Sequence, residues 1–120
     1  MTDKLPRKKV LFRGSALKDL RGFPEAAQDA LGYALDHVQA RLDPPDWGDM
    51  STVGAGCKEL RYQDRDGWYR VVYVATFEEY VAVLHSFQKK TNQTSKQDIA
   101  VAKQRFDELI QERKQERKKK

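Results

Sequence analysis

Hydrophobic positions in the first third of the chain mostly follow the period of helices. A short apolar run over residues 8–13 predicts a strand, and a first helix opens at Ser15 and ends at Gly22. A longer helix follows from Pro24 and ends before Pro44. Its core-facing stripe consists of Ala27, Leu31, Leu35, Val38 and Leu42. Two helices joined by such a short link predict a helix hairpin.

The middle of the chain changes to the period of strands. Three runs are rich in β-branched and aromatic residues, and they cover residues 57–63, 68–75 and 80–87. Asp66-Gly67 between the first two is a hairpin signal. Residues 46–56 hold three glycines, which predicts a loop without regular structure. A last amphipathic helix is expected from a cap at Ser95 to Ile110.

The order of these elements, β-α-α-β-β-β-α, is typical of an α+β domain. We expect the N-terminal strand and the helix hairpin to pack on a mainly antiparallel four-stranded sheet, with the helices on one face. The 120 residues suffice for one core. Residues 1–110 are therefore predicted as a single domain. Residues 111–120 are predicted as a basic tail that either prolongs the last helix or is disordered.

Net charge changes this picture little, because most of it lies in the tail. The formal charge is +5, but residues 111–120 alone hold six basic and two acidic side chains. A case for nucleic-acid binding must therefore rest on local clusters. No apolar run reaches the roughly 18 residues of a membrane span, and residues 1–9 lack a secretory signal. The single cysteine, Cys57, excludes an internal disulfide, and a cytoplasmic location is expected.

One such local cluster is predicted on the three-strand segment. Arg70 stands in mid-strand, directly before Val71 and Val72, so we expect it on the sheet face that the helices leave open. Arg61 on the preceding strand, and Lys89 and Lys90 after the third, can converge with it into an anion site. In the alternative interpretation, Arg61 and Arg70 are surface cations paired with Asp or Glu, and the lysines are solvated.

The third strand adds an imidazole to the same segment. Strict alternation puts four of its side chains on one face: Val81, Val83, His85 and Phe87. Imidazole groups in general suit proton transfer near neutral pH, so His85 is a candidate base or acid. The alternative interpretation is a packed, hydrogen-bonded histidine beside Phe87.

The motifs of this segment resemble a known family. They are Leu60-Arg61, Y-R-V-V-Y at residues 69–73, V-L-H-S-F-Q-K-K-T at residues 83–91, and S-K-Q-D-I-A-x-A-K-x-R from Ser95. Together they resemble the RelE/ParE toxin superfamily, in particular its HigB-like, phage-derived branch. The resemblance extends over roughly residues 10–110. The fold that it implies, a helix hairpin on an antiparallel sheet, agrees with the hydrophobic pattern.

The resemblance implies the toxin of a type II toxin–antitoxin system, acting as an mRNA endonuclease on the ribosome without a metal or other cofactor. Such enzymes cleave by attack of the ribose 2′-OH on the adjacent phosphate, which needs a base, an acid and cations. The implied catalytic residues are Arg70 at the transition state, Arg61 at the phosphate and His85 as base or acid. The implied RNA-binding residues are Lys58, Phe87, Lys89, Lys90 and Thr91.

The resemblance also implies the partners of the protein. They are a cognate helix-turn-helix antitoxin, mRNA on the ribosome, and operator DNA reached only through the antitoxin; no membrane is involved. The chain departs from the family at Lys58-Glu59, where RelE-type proteins carry paired basic residues, so the general base is unassigned. Two other functions stay open: a ParE-like toxin that binds a topoisomerase without cutting RNA, and an inactive phage-derived RNA-binding protein.

Overall fold

Within residues 5–91 and 94–118, which the computed structural model describes, the chain forms five strands and three helices. The strands are β1 (Lys9–Phe12), β2 (Trp47–Asp49), β3 (Cys57–Asp64), β4 (Gly67–Val74) and β5 (Tyr80–Lys89). The helices are α1 (Ala16–Arg21), α2 (Glu25–Gln39) and α3 (Lys96–Lys118). The expected α+β class is confirmed, as are the hairpin between β3 and β4 and a C-terminal helix.

All five strands belong to one sheet, in the order β1-β5-β4-β3-β2. β1 runs parallel to β5, and every other neighbouring pair is antiparallel. The prediction of four strands was wrong because β2 lies within the glycine-rich stretch 46–56. Trp47–Asp49 pairs with Lys58–Leu60. Sheet pairing uses backbone N–H and C=O groups, so a glycine in a short edge strand does not prevent it.

Helices pack on both faces of the sheet, whereas one face had been expected. On one face, α1 and α2 cover a core that includes Leu31, Leu60 and Val71. On the other, Ala102 and Leu109 of α3 pack in a second cluster with Val72, Val74 and Leu84. Residues 69–74 of β4 are all buried, because a strand that is covered on both sides does not alternate between buried and exposed positions.

A register shift in β5 overturns the predicted alternation of its side chains. Val72 pairs with His85, but the next residue, Tyr73, pairs with Val83, so Leu84 is an extra residue. Such a bulge reverses the alternation that follows it. Val81 and Val83 therefore lie in the α1/α2 core, while Phe87 packs on the α3 face with Leu84.

The long helix α2 ends earlier than predicted, whereas α3 extends into the tail, which was one of the two alternatives. α2 stops at Gln39, so Leu42 lies beyond it and is 60% exposed instead of completing the core stripe. α3 begins after Ser95, whose Oγ accepts a hydrogen bond of 3.1 Å from the Asp98 N–H, and it continues past Ile110 to Lys118. No helix in the described residues is both long enough and apolar enough to cross a bilayer.

We expect Leu31→Ala to lower the free energy of unfolding by about 2–5 kcal/mol, because Leu31 is fully buried between α2 and the sheet. Chemical denaturation measures this change. The matched control on the same helix is Tyr33→Ala, since Tyr33 is 61% exposed and its removal should cost little. Equal losses in the two variants would contradict the assignment of this core.

Candidate functional site

Three rows of side chains cross β3, β4 and β5 on the face that α3 packs against. Residues opposite each other on neighbouring strands project to the same side, so the strand register defines these rows. They are Glu59, Val72 and His85; then Arg61, Arg70 and Phe87; then Gln63, Trp68 and Lys89. We call these nine residues the grid. Three cations, one carboxylate and one imidazole therefore share one end of the sheet.

A buried ion-pair network lies at the centre of the grid. The Glu59 Oε1 atom accepts hydrogen bonds from Arg70 Nη1 at 2.5 Å and from Arg61 Nε at 3.0 Å. Arg61 Nη1 also lies 3.8 Å from Asp46 Oδ1. Glu59 is 4% exposed and Arg70 is 2% exposed. The expectation that Arg70 marks an open face of the sheet was therefore wrong.

Two neighbours make the burial of the Arg70 charge tolerable. Glu59 supplies a counter-charge, and the guanidinium lies 5.2 Å from the centre of the Trp68 ring, within cation–π range. Burial is the largest influence on Arg70 and lowers its pKa from the ordinary value, while the Glu59 charge acts in the opposite direction. An arginine remains protonated at neutral pH even so. Glu59 and Arg70, at the centre of the grid, therefore form an ion pair whose two charges compensate each other.

Gly48 of β2 makes room for the Arg61 side chain. Gly48 pairs with Glu59, so a side chain there would project onto the grid face. A Cβ atom at position 48 would lie only 1.8 Å from Arg61 Nη2. The absence of a side chain thus allows the Arg61 guanidinium to cross β2 toward both Glu59 and Asp46.

His85 is held by the first turn of α3. Its Nε2 atom lies 2.8 Å from Asp98 Oδ1, and the hydroxyl of Ser95 donates to Asp98 Oδ2 at 2.7 Å. The imidazole stacks on Phe87, with ring centres 4.8 Å apart. Two polar atoms beside Val72, His85 Nδ1 and Glu59 Oε2, are buried without a hydrogen-bond partner in the described part of the chain. Buried polar atoms without a partner are uncommon in folded proteins.

The predicted RNA-binding residues are divided between several environments. Phe87 and Lys89 belong to the grid, and Lys89 Nζ donates to Thr94 Oγ1 at 3.1 Å. Burial, followed by the charge of Arg70, lowers the pKa of Lys89. Lys90 and Thr91 are exposed just past β5. Lys58 projects to the opposite face, where its Nζ atom lies 4.3 Å from the centre of the Trp47 ring.

Four further residues support the site without having been predicted to do so. Glu59 had been noted only as a departure from the family pattern, although its spacing of two from Arg61 already placed both on one face. Asp98 lies in the first turn of α3, and no sequence signal links it to His85, thirteen residues earlier. The contribution of Gly48 depends on the pairing of β2 with β3, and the contribution of Trp68 depends on its distance from Arg70. Neither can be read from the sequence.

Other reactive groups in the described residues offer little chemistry. No three His, Cys, Asp or Glu side chains among them lie close enough together to hold a metal ion. Cys57 is fully buried, and burial raises the pKa of its thiol to about 12. A buried thiol with a raised pKa is a poor nucleophile at neutral pH.

These observations define an α+β protein with a buried arginine–carboxylate network at one end of its sheet. Its sequence matches the phage-derived protein Gp49-like family (DUF891) over residues 18–107, which is 90 of the 120 residues. The chain therefore belongs to this family. Comparisons with curated proteins and with solved structures gave no match.

Glu59→Ala should lower the free energy of unfolding by roughly 3–5 kcal/mol, because it leaves the Arg70 charge buried without its main counter-charge. The double variant Glu59→Leu with Arg70→Met removes both charges and should recover most of this loss. Urea denaturation of the single and double variants measures both effects. Asp46→Ala is the control, and it should cost less than about 1 kcal/mol because Asp46 is 65% exposed. Losses that simply add in the double variant would refute the coupling.

Cys57 should resist alkylation in the folded protein at pH 8, since its thiol is buried and its pKa is raised. Iodoacetamide labelling followed by mass spectrometry is the measurement, and the urea-unfolded chain is the control. We expect labelling in the unfolded chain to be faster by at least about a hundredfold. Rapid labelling of the native protein would show that the interior around Cys57 opens readily.

Proposed function

We propose that this protein is the toxin of a type II toxin–antitoxin system and that it cleaves mRNA on the ribosome. Membership of the Gp49-like family supports this proposal, because that family is a toxin-like family of such systems. The motifs around Arg70 and from residue 83 to 91 support it independently through their resemblance to the RelE/ParE superfamily and its HigB-like branch.

The observation that carries the proposal is the convergence of two guanidinium groups on one carboxylate oxygen. Arg61 and Arg70 both donate to Glu59 Oε1, so an anionic oxygen is already held at the centre of the grid. An RNA phosphate oxygen at this position would meet the same two donors. Guanidinium groups suit phosphate because they form parallel, charge-assisted hydrogen bonds. In the proposed reaction they stabilise the charge that grows on phosphorus.

The grid also contains two groups that can transfer protons. Glu59 and His85 lie on either side of Val72 in one row, so their Cα atoms are about 10 Å apart at the usual strand spacing. Once the phosphate has replaced Glu59 on the two arginines, the released carboxylate can accept a proton, and we assign it the proton of the 2′-OH. His85 then donates to the departing 5′-oxygen. This fills the role of general base that the family pattern left unassigned.

Access to the grid explains why the proposed activity would require the ribosome. Arg70, Glu59, His85 and Lys89 are all buried, whereas the Arg61 side chain is 36% exposed and Lys90 is exposed. RNA would first contact the exposed cations, and it reaches Arg70 only after the Glu59–Arg70 pair separates. Binding to the ribosome supplies the free energy for such a rearrangement. The proposed site of action is accordingly the cytoplasm.

The proposed partner is a helix-turn-helix antitoxin that covers Arg61 and Lys90, with operator DNA bound through the antitoxin. The same buried ion pair favours a second candidate function. A guanidinium neutralised by Glu59 and shielded from solvent is also what a protein without nuclease activity would contain. In that case the chain is a ParE-like topoisomerase-binding toxin or an inactive RNA-binding protein.

Arg70→Lys should reduce ribosome-dependent mRNA cleavage by roughly a hundredfold or more. Lysine keeps the charge that pairs with Glu59 but lacks the planar fork of donors, so the fold is retained while phosphate geometry is lost. Cleavage is measured by primer extension on mRNA in purified translating ribosomes, and a thermal melt confirms folding. Products ending in a 2′,3′-cyclic phosphate are expected from 2′-OH attack.

The matched control is Arg65→Lys, the same substitution at an exposed position in the β3–β4 turn, and it should leave cleavage unchanged. Wild-type rates from a folded Arg70→Lys variant would exclude the catalytic assignment. Growth arrest with DNA damage and intact mRNA would instead establish the ParE-like function. RNA binding without arrest or cleavage would establish the inactive alternative.

A further inference from the structure

A cavity with a cationic lining lies on the sheet face opposite the grid. It has a volume of about 320 Å³ and opens between the end of α2 and the adjoining ends of β3 and β4. Lys58 lines it, and Lys58 is the residue immediately before Glu59, so one strand supplies neighbouring residues to the cavity and to the grid. The volume is at the lower end of the range of about 300–1,000 Å³ that holds small ligands.

The charged side chains that line this cavity are mostly cations. Lys8, Arg41 and Lys58 are opposed by one carboxylate, Asp43. Lys8 Nζ donates to the Ala75 carbonyl at 2.6 Å and is almost fully buried. Burial, and then repulsion by the charge of Arg41, lowers the pKa of Lys8, while the charges of Glu78 and Glu79 act in the opposite direction. An anion in the cavity would relieve this repulsion.

Arg41 is held at the cavity in an unfavourable backbone conformation. Its φ of 65° is the only positive φ of a non-glycine residue among those the structure describes, and it costs about 1 kcal/mol. The guanidinium donates to the carbonyl oxygens of Pro6 at 3.3 Å and Glu78 at 3.2 Å, and it pairs with the exposed Glu78 carboxylate. Residues kept in strained conformations are found preferentially at functional sites.

Tyr73 adds a neutral hydrogen-bond donor to the lining of the cavity. Its side chain is 2% exposed and lines the cavity, yet its hydroxyl makes no hydrogen bond to any residue that the structure describes. Burial, with a smaller contribution from Asp43, raises the pKa of this phenol to about 12, so it remains a donor at neutral pH. The hydroxyl therefore has its donor available for a ligand in the cavity.

We propose that this cavity binds the phosphate of a nucleoside monophosphate, either free or at the end of an RNA strand. The cationic side chains and the Tyr73 hydroxyl present more donors than the two oxygens of a carboxylate can use, whereas a phosphate monoester offers three acceptor oxygens. The Trp47 ring is 38% exposed and contacts Lys58, a lining residue of the cavity, so it offers a surface on which a base can stack. This inference does not depend on the proposed nuclease function.

The test is an NMR titration of the ¹⁵N-labelled protein with 5′-AMP, a 5′-phosphorylated RNA trinucleotide, inorganic phosphate, adenosine and an acidic peptide. We expect 5′-AMP to shift the amide signals of Lys58, Tyr73 and Thr76, and adenosine to leave them unchanged. Lys58→Gln should weaken 5′-AMP binding about tenfold, and Tyr73→Phe several-fold. Tighter binding of the trinucleotide than of 5′-AMP identifies an RNA end as the ligand, and equal binding identifies the free nucleotide.

Lys18→Gln is the matched control, because it removes the same charge from an exposed position on α1 and should not change the affinity. If Lys18→Gln and Lys58→Gln weaken 5′-AMP binding equally, the loss of affinity reflects net charge alone, and the proposal is overturned. Binding of adenosine as tight as that of 5′-AMP would also overturn it, as would a response to the acidic peptide alone, which would indicate a protein partner. The titration of Arg70→Lys should match the wild type, which separates this site from the proposed nuclease.

Discussion

The burial of one positive charge in the middle of the sheet is the constraint on which this structure depends. Arg70 projects from a central strand toward the face that α3 packs against, and its guanidinium is shielded from water. A charge in that position requires a counter-charge and further polar or aromatic neighbours. Glu59 provides the first from β3 and Trp68 the second from β4, so the pairing of these two strands fixes the electrostatics as well as the fold.

The register of the strands then decides which chemistry each face carries. On β3, alternation sends Lys58 to the cavity beside α2 and Glu59 to the grid. On β5, the bulge at Leu84 keeps Val83 in the α1/α2 core and still brings His85 into the row of Glu59. Without this extra residue, the imidazole and the carboxylate would lie on opposite sides of the sheet.

The proposed function and the buried network fit together as a site that is closed in the free protein. The cations that RNA would meet first are exposed, whereas the groups assigned to the reaction are covered and neutralise one another. A nuclease that acted on any RNA would be harmful to its host at all times. If the site opens only when the protein binds a large partner such as the ribosome, RNA is cleaved only in that complex. The proposed dependence of cleavage on the ribosome has this meaning.

The sequence by itself determined the class of the fold and the order of every element except β2, because helix and strand periods and the Asp66-Gly67 turn are local signals. It also identified Arg61 and Arg70 as residues of one face, since both lie on strands with strict alternation. Only the tertiary structure decided that β2 pairs through its backbone and that α3 covers the opposite face. It also decided that Asp98 reaches His85. These features depend on contacts between segments distant in sequence, and no local pattern records which segments will meet.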